Sequence, residues 1–321
     1  MIKMSAGTAH VLGLKKLAID ALPTTGYLMS GEKCTHDCGF CPQARNASSG
    51  ANLLSRVTWS ERDVDEIVVG VGAAFRKGQM KRACLQVVDG CGILAQVKDT
   101  VKKIKEHSDI PVCVSAKVKT TEEVLALART GVDRIGLALD AASERVFKAT
   151  KTGSWLETMR LIEEAATALP GRISTHLIVG LGETEEEMVC MLQHMWDLGV
   201  TVGLFAFTPV PGTRMAKVNP PDLGTYRLIQ AANYLIGHKI INFADCSFRS
   251  GHLESYGLST SELTDCLKDG KAFETSGCPD CNRPYYNEKP GGVIYNYPRP
   301  LKSEETKAAL DIVNKEGVET G

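Results

Sequence analysis

Short apolar runs recur along the chain, and longer stretches with apolar positions at helical spacing separate them. The runs are 26–30 (GYLMS), 83–88 (ACLQVV), 110–116 (IPVCVSA), 134–139 (RIGLAL), 173–180 (ISTHLIVG), 202–210 (VGLFAFTPV) and 239–244 (KIINFA). Each has the length of a buried strand. Between them, 121–131 sets Val124, Leu125, Leu127 and Ala128 at helical spacing ahead of Gly131, a fitting C-cap. The stretch 182–199 opens on Thr184 and Glu187, the pattern of a capping box, and carries an apolar stripe through Met188, Met191, Leu192 and Met195. Repeated strand–helix units imply a parallel sheet with right-handed crossovers. The pattern predicts an α/β fold over residues 1–255, a TIM-type (β/α) barrel, complete or partly open. Its chemistry belongs at the C-terminal strand ends. Beyond about residue 255 the alternation weakens. The stretch 278–301 is rich in Pro, Gly, Asn and Tyr. It predicts an ordered, irregular tail over the barrel mouth, so that 256–321 forms a C-terminal extension.

The 321 residues, 43% of them hydrophobic, suffice for one large core or two modest ones. A formal net charge of -1 gives no reason to expect a nucleic-acid partner. No apolar run reaches the length of a membrane span, and the N-terminus lacks the pattern of a signal peptide. The expectation is a soluble cytoplasmic protein with no membrane partner. Eleven cysteines are many for that compartment. Thiols stay reduced there, so clustered cysteines point to metal or redox chemistry.

Cys34, Cys38 and Cys41 are spaced C-x3-C-x2-C directly after the first predicted strand. Their neighbours Thr35, His36, Asp37, Gly39 and Gln43 suit a loop rather than a core. A structural zinc takes four protein ligands, and this loop is one short unless His36 supplies it. A [4Fe–4S] cluster normally takes four cysteines; three leave one iron open to another ligand. With Phe40 before the last cysteine, the stretch resembles the radical S-adenosylmethionine (SAM) superfamily. That resemblance implies a [4Fe–4S] cluster on Cys34, Cys38 and Cys41 whose open iron binds SAM. An electron from a low-potential donor such as ferredoxin or flavodoxin then cleaves SAM to methionine and a 5′-deoxyadenosyl radical. It also implies SAM contacts at successive strand ends. Val88 and Asp89 in VVDG (87–90) meet the amino group, and Asp140 in LDAAS (139–143) the ribose hydroxyls. Gly180, Gly182 and Glu183 in IVGLGET (178–184) lie by the adenine and ribose, where glycine permits close backbone approach. A GLGET turn also serves as a plain strand-to-helix connection.

The stretches CTHDCGFCPQ and GLGET resemble biotin synthase, and the similarity runs through most of residues 20–250. Biotin synthase holds a second cluster deep in its barrel on three strand cysteines and an arginine. By register Cys84 and Cys113 match two of the cysteines, the third falls on Ser174, and the arginine on about Asn242. With two ligands missing, Cys84 and Cys113 read equally as small residues in buried strands. Cys278-x2-Cys281 is a metal clip by spacing. Cys246 follows the seventh predicted strand and is therefore expected at the mouth. These three are the expected ligands of an auxiliary [4Fe–4S] cluster, with Ser247 or Ser250 in fourth place. Cys266 reads as core beside Leu263 and Leu267, Cys190 as structural, and Cys91 as a reserve ligand.

The tail TSGCPDCNRPYYNEKPGG is similar to that of the archaeal-type two-component lipoyl synthases. This resemblance implies sulfur insertion, from the auxiliary cluster, into an octanoyl chain on a lysine of a lipoyl carrier protein. A paired second component shares the two insertions. Burying the octanoyl chain contributes about 5–6 kcal/mol at ~0.8 per methylene. Tyr285, Tyr286, Tyr295 and Tyr297 either line the entrance of that arm or serve as ordinary tail packing. The alternatives are biotin synthase acting on free dethiobiotin, another barrel radical SAM enzyme such as those of hydrogenase cofactor assembly, an iron–sulfur scaffold or electron carrier, and a zinc-stabilised binding module.

Overall fold

In the computed structural model, which describes residues 1–50, 52–288 and 291–316, six of the seven apolar runs are strands. The chain opens with β1 (Ile2–Ser5), α1 (Ala6–Val11), β2 (Thr25–Ser30), β3 (Leu53–Leu54) and β4 (Val57–Arg62). Alternation follows: α2 (Val64–Arg76), β5 (Arg82–Val87), α3 (Ile93–His107), β6 (Val112–Ser115), α4 (Thr121–Ala128) and β7 (Arg134–Gly136). Then come α5 (Glu144–Thr150), α6 (Trp155–Ala168), β8 (Ile173–Val179), α7 (Glu185–Asp197), β9 (Thr201–Ala206) and α8 (Leu223–Gly237). A hairpin of β10 (Ser247–Arg249) and β11 (His252–Ser255), then α9 (Thr260–Leu267) and α10 (Ser303–Glu316), complete it.

The main sheet runs β3-β4-β1-β2-β5-β6-β7-β8-β9. From β2 to β9 every pairing is parallel, as strand–helix alternation requires. The exception is β1, antiparallel to both β2 and β4 and buried along its whole length. Residues 1–25 carried no strand in the sequence reading. Most of the helices start where a side chain caps them, though not α3 or α5. Thr184 and Glu187 form the expected reciprocal box on α7, and Met188, Leu192 and Met195 bury its stripe. Strand parity divides the sheet's two faces. On β5, Ala83 and Leu85 pack in the main core, while Arg82, Cys84 and Gln86 line a cavity inside the curl. The same parity puts Cys113 and Ser115 of β6, and Ser174, His176 and Ile178 of β8, around that cavity.

The seventh run, KIINFA, is not a strand. After α8, Lys239 turns left-handed at φ 58°, and Asn242 and Asp245 cap a single 3-10 turn over Phe243–Asp245. Ile241 alone of its two isoleucines is buried; Ile240 is exposed. One anchoring side chain does not sustain a strand, and the free edge of β9 already has partners.

Those partners come from the tail, which corrects its expected place over the mouth. Ser276 Oγ accepts from Leu204 N at 2.9 Å, Arg283 donates to Leu204 O at 3.2 Å, and Asn287 donates to Ala206 O at 2.8 Å. Side chains thus satisfy an edge that another strand would otherwise pair. Across the opening, the hydroxyls of Thr24 and Thr25 donate to Asp280 O at 2.6 and 3.1 Å, and Thr24 N donates to Asn282 Oδ1 at 3.0 Å. Thr25 begins β2, so the Cys278–Cys281 turn sits at the base of the curl, opposite the mouth. Ser55 Oγ donates to Tyr286 O at 2.6 Å, which carries the tail upward along the seam. Composition announced an irregular segment without saying which end it closes. Asp280, Arg283 and Tyr285 all take left-handed backbone, at φ 61°, 32° and 59°. Such conformations persist where surrounding contacts over-determine them. Beyond residue 255, Leu263, Leu267, Phe273, Ala309 and Val313 bury themselves in the same core as the barrel helices.

Candidate active site

The three-cysteine loop is pinned on three sides. Gly31, at φ 97°, starts it; a Cβ there would stand 2.5 Å from Val88 O, so only glycine lets the two strand ends pass. Thr35 N donates to Asp89 O at 3.1 Å past the end of β5, and Gly39 N donates to Thr150 O at 2.7 Å on α5. Gly39 O accepts from Met215 N at 3.0 Å in the loop after β9. Internally, Cys34 N donates to Gln43 O, Cys41 N to Cys38 O, and Arg45 N to His36 O. The result presents Cys34, Cys38 and Cys41, all partly buried, at the mouth. Burial pushes the Cys41 thiol up to about 12 and raises that of Cys38, against which Lys151 acts. His36 turns Nε2 to Asp89 at 3.2 Å.

The strand-end residues fall into two groups. Phe40, Cys41 and Asp140 line the upper cavity. Asp140 is left-handed at φ 62°, and its carboxylate lies 2.6 Å from Lys151 Nζ. Lys151 also donates to Ala138 O and Leu139 O, which fixes the pair at the rim. Val88, Asp89, Gly180, Gly182 and Glu183 lie outside the lining. Val88 is buried, and Asp89 accepts from the Thr35 hydroxyl. Both carboxylate oxygens of Glu183 accept backbone amides of its own turn, Gly180 N at 2.6 Å and Leu181 N at 2.9 Å. Burial nevertheless raises its pKa.

The cavity, of about 200 Å3, runs down from there to a second group of thiols. Cys84 and Cys113 are register partners on β5 and β6, and Cys278 and Cys281 approach from the tail turn. Cys113 and Ser174 hydrogen-bond to the Cys278 sulfur; this, with Arg82 and Arg134 nearby, holds that thiol down at about 6. Cys113 is correspondingly pushed up, first by that bond and then by burial. Burial raises Cys84. Arg82 Nη1 donates to Cys113 Sγ at 2.6 Å, Tyr27 Oη lies 3.5 Å from Cys281 Sγ, and Arg283 Nη1 donates to it at 3.6 Å. Between the two thiol groups the wall is neutral: Ser115, His176, Ile178, Phe205 and Phe207. Burial pushes His176 down to about 4, so its imidazole is uncharged. Four residue steps along β5 and just past its end separate Cys84 from Val88, about 13 Å at ~3.3 Å per residue.

The expected trio of Cys246, Cys278 and Cys281 is therefore not what the fold assembles. Cys246 ends the 3-10 turn, its Sγ 3.8 Å from Asn242 O, and that turn docks on α7 through Phe243 N and Gln193 Oε1. Ser247 and Ser250 are exposed. Without a seventh strand, nothing carries Cys246 to the cavity. Cys84 and Cys113 take its place. The signal for them was parity: both point inward at one level of adjacent strands, beside the inward-facing Arg82. Cys91 and Cys190 are exposed, and Cys266 packs partly buried against the core. Of the four tail tyrosines only Tyr286 lines the cavity. Tyr295 packs edge-on against Tyr226, and Tyr297 lies under Arg227.

Among the described residues, no three His, Cys, Asp or Glu side chains converge as around a single metal ion. Thiolates of a four-iron cluster bind different irons, so their sulfurs stand wider apart than around one ion. At the base four sulfurs line one cavity, with Cys113 hydrogen-bonded to Cys278, and at the mouth the Asp140 charge acts on the Cys38 and Cys41 thiols.

Residues 28–195 match the Radical SAM superfamily. The biotin synthase of Clostridium acetobutylicum is 27% identical over 222 residues, 66% of this chain and 64% of that one. That of Hydrogenobaculum sp. is 28% identical over 256 residues, 76% and 73% of the two chains. The chain thus spans slightly less than two thirds of the Clostridium enzyme's length. Among solved structures, the FeFe-hydrogenase maturase HydG from Carboxydothermus hydrogenoformans aligns with TM-score 0.55 at 15% identity, over 89% of this chain and 65% of that one. Methylornithine synthase (PylB) aligns with TM-score 0.52 at 13% identity, over 72% and 65%. At these identities the two structures share the fold.

Proposed function

Since the chain belongs to the radical SAM superfamily, we propose that it inserts sulfur into an octanoyl chain carried on a lysine of a lipoyl carrier protein, as one component of a two-component lipoyl synthase. The observation that carries this reading is a single cavity with Cys41 of the three-cysteine loop in its upper wall, four thiols at its base and a neutral wall between. A [4Fe–4S] cluster held by Cys34, Cys38 and Cys41, with SAM bound, supplies the hydrogen-abstracting radical. The chain's own residues do the rest. Lys151 holds Asp140 at the rim. Ile178, Phe205 and Phe207 exclude water and seat methylenes. Cys84, Cys113, Cys278 and Cys281 hold the sulfur-donating centre. In the biotin synthase pattern the third strand cysteine falls on Ser174. Here Ser174 hydrogen-bonds Cys278, so the tail clip reaches the missing position.

The neutral middle favours a substrate whose carboxyl is already an amide. A donor at the base asks the substrate to reach through the cavity, which suits an unbranched chain on a long arm. Depth also favours a second reading, biotin synthesis from free dethiobiotin, in keeping with the curated relatives. The partners of the first reading are an octanoylated carrier, a paired second synthase component and a ferredoxin or flavodoxin in the cytoplasm. Mass spectrometry of an octanoylated carrier peptide, after incubation with enzyme, SAM and a strong reductant, tests it. Gain of one sulfur supports the reading. No gain there, with conversion of dethiobiotin to biotin, transfers the assignment to the second.

A further inference from the structure

Two buried arginines at the base of the cavity have no carboxylate beside them. Arg82 is 6% exposed, reaches Cys113 Sγ through Nη1, and leaves its buried Nε without a hydrogen-bond partner. Arg283 is 9% exposed, lies 4.2 Å over the Phe205 ring, and directs Nη1 at Cys281 Sγ. Arg283 Nη2 donates to Leu204 O at 3.2 Å and Ser276 O at 2.8 Å, both uncharged carbonyls. Every ion pair among the described residues lies elsewhere. A third cation near Cys278, Arg134, is only half-buried and donates to Thr201 Oγ1 at 2.8 Å. Burying a guanidinium without an anion is strongly unfavourable, so this pair points to an anion that the protein side chains other than thiols do not provide.

We propose that Arg82 and Arg283 are the counter-charges of an anionic metal–sulfur centre built on Cys84, Cys113, Cys278 and Cys281. The proposal rests on reading the base as the donor site. Four thiolates bring four negative charges, and an oxidised iron–sulfur core returns two positive ones. The remaining two negative charges match two guanidiniums, and the basin becomes neutral. Four protonated thiols would leave both cations uncompensated. The two arginines are therefore positioning residues: they stabilise the centre without touching substrate, and they set its reduction potential through its net charge and sulfur hydrogen bonds.

The test uses the reconstituted full-length chain with Arg82→Met, Arg82→Lys and Arg283→Lys. The base centre is identified as the signal lost from a Cys278→Ala/Cys281→Ala variant. Arg82→Met should shift its midpoint potential to more negative values and leave the mouth cluster's where it was. Both lysine variants should keep most of the wild-type value. Thermal unfolding adds a sign test. In the metal-free chain Arg82→Met should be at least as stable as wild type, and in the loaded chain less stable. An unmoved potential at full iron content overturns the proposal. So does a lysine variant no better than methionine, or an equal loss of stability in metal-free and loaded chains. The sulfur-insertion assay is read separately. If the potential shifts but the octanoyl peptide gains no sulfur, the substrate reading falls and the counter-charges stand; if wild type loads no base centre, the counter-charge proposal falls.

Discussion

Cys34, Cys38 and Cys41 meet through one stretch of consecutive residues, whereas Cys84, Cys113, Cys278 and Cys281 meet through two strands and a distant turn. The mouth loop needs only its own backbone bonds and three anchors to bring its sulfurs together. The base needs the sheet to set the level of Cys84 beside Cys113, and the tail to cross the open seam. Ligands local in sequence tolerate a movable frame. Ligands assembled from afar make the frame part of the site, and so couple the closing of the barrel to the centre it holds. Strained backbone occurs in both, as the single residue Asp140 at the rim beside Lys151 and as Asp280, Arg283 and Tyr285 together in the tail, where contacts to β2, β9 and Ser55 keep them left-handed.

The largest expected effect separates the two groups by function. Alanine at Cys34, Cys38 or Cys41 should reduce 5′-deoxyadenosine formation to the rate without enzyme. Alanine at Cys84, Cys113, Cys278 and Cys281 together should remove about four irons per chain, abolish sulfur insertion, and leave SAM cleavage running. Chromatography of the nucleoside and iron analysis read both. A base variant that stops SAM cleavage would dissolve the distinction. Cys246→Ala sharpens it further: iron content and product should match wild type. A loss of iron there would restore the trio that the sequence spacing suggested.

Sequence named the thiols of both groups but assembled only those of the mouth, for one physical reason. Local spacing is written along the chain, so C-x3-C-x2-C and the Thr184–Glu187 cap were legible, as were the six parallel strands. Tertiary closure is not. KIINFA had strand composition, but the tail's side chains had already satisfied β9, and Cys246 went with it to the outer face of α7. β1 was missed because four residues carry too little periodicity to read. The register match of Cys84 and Cys113 was visible, but its meaning depended on Cys278 arriving from the tail.

An intermediate effect probes the frame of the base. The Asn282 side chain accepts from Thr24 N and donates to Leu22 O at 2.9 Å and Pro298 O at 3.2 Å. Asn282→Ala should cost about 1–3 kcal/mol, since it strands a backbone amide at the seam. Limited proteolysis should then cut faster within 274–288 and no faster within 32–46. Equal acceleration at both would mean that mouth and base share one frame.

The smallest effect concerns the clamp behind that turn. Arg299 donates to both carboxylate oxygens of Glu305, at 2.7 and 2.9 Å, and its Nε lies 3.8 Å from Asp20 ahead of β2. Pro298, its neighbour, accepts from Asn282, so the clamp backs the clip. Hydrogen bonding from Arg299, ahead of that from Lys302 N, brings Glu305 down to about 2 from 4.5. The folded value lies below the unfolded one. The contribution is thus complete above about pH 4.5 and is lost as pH falls toward about 2. Both side chains are partly exposed, so solvent screening limits it to at most about 1 kcal/mol. The metal-free chain is the right material, because acid strips iron from clusters and would mask so small a change. Denaturant unfolding at about pH 6 and about pH 3 should show Glu305→Gln less stable than wild type at the higher pH, with the gap clearly narrowed at the lower. A gap that persists unchanged at the lower pH would mean the carboxylate charge is not what holds α10 to the base.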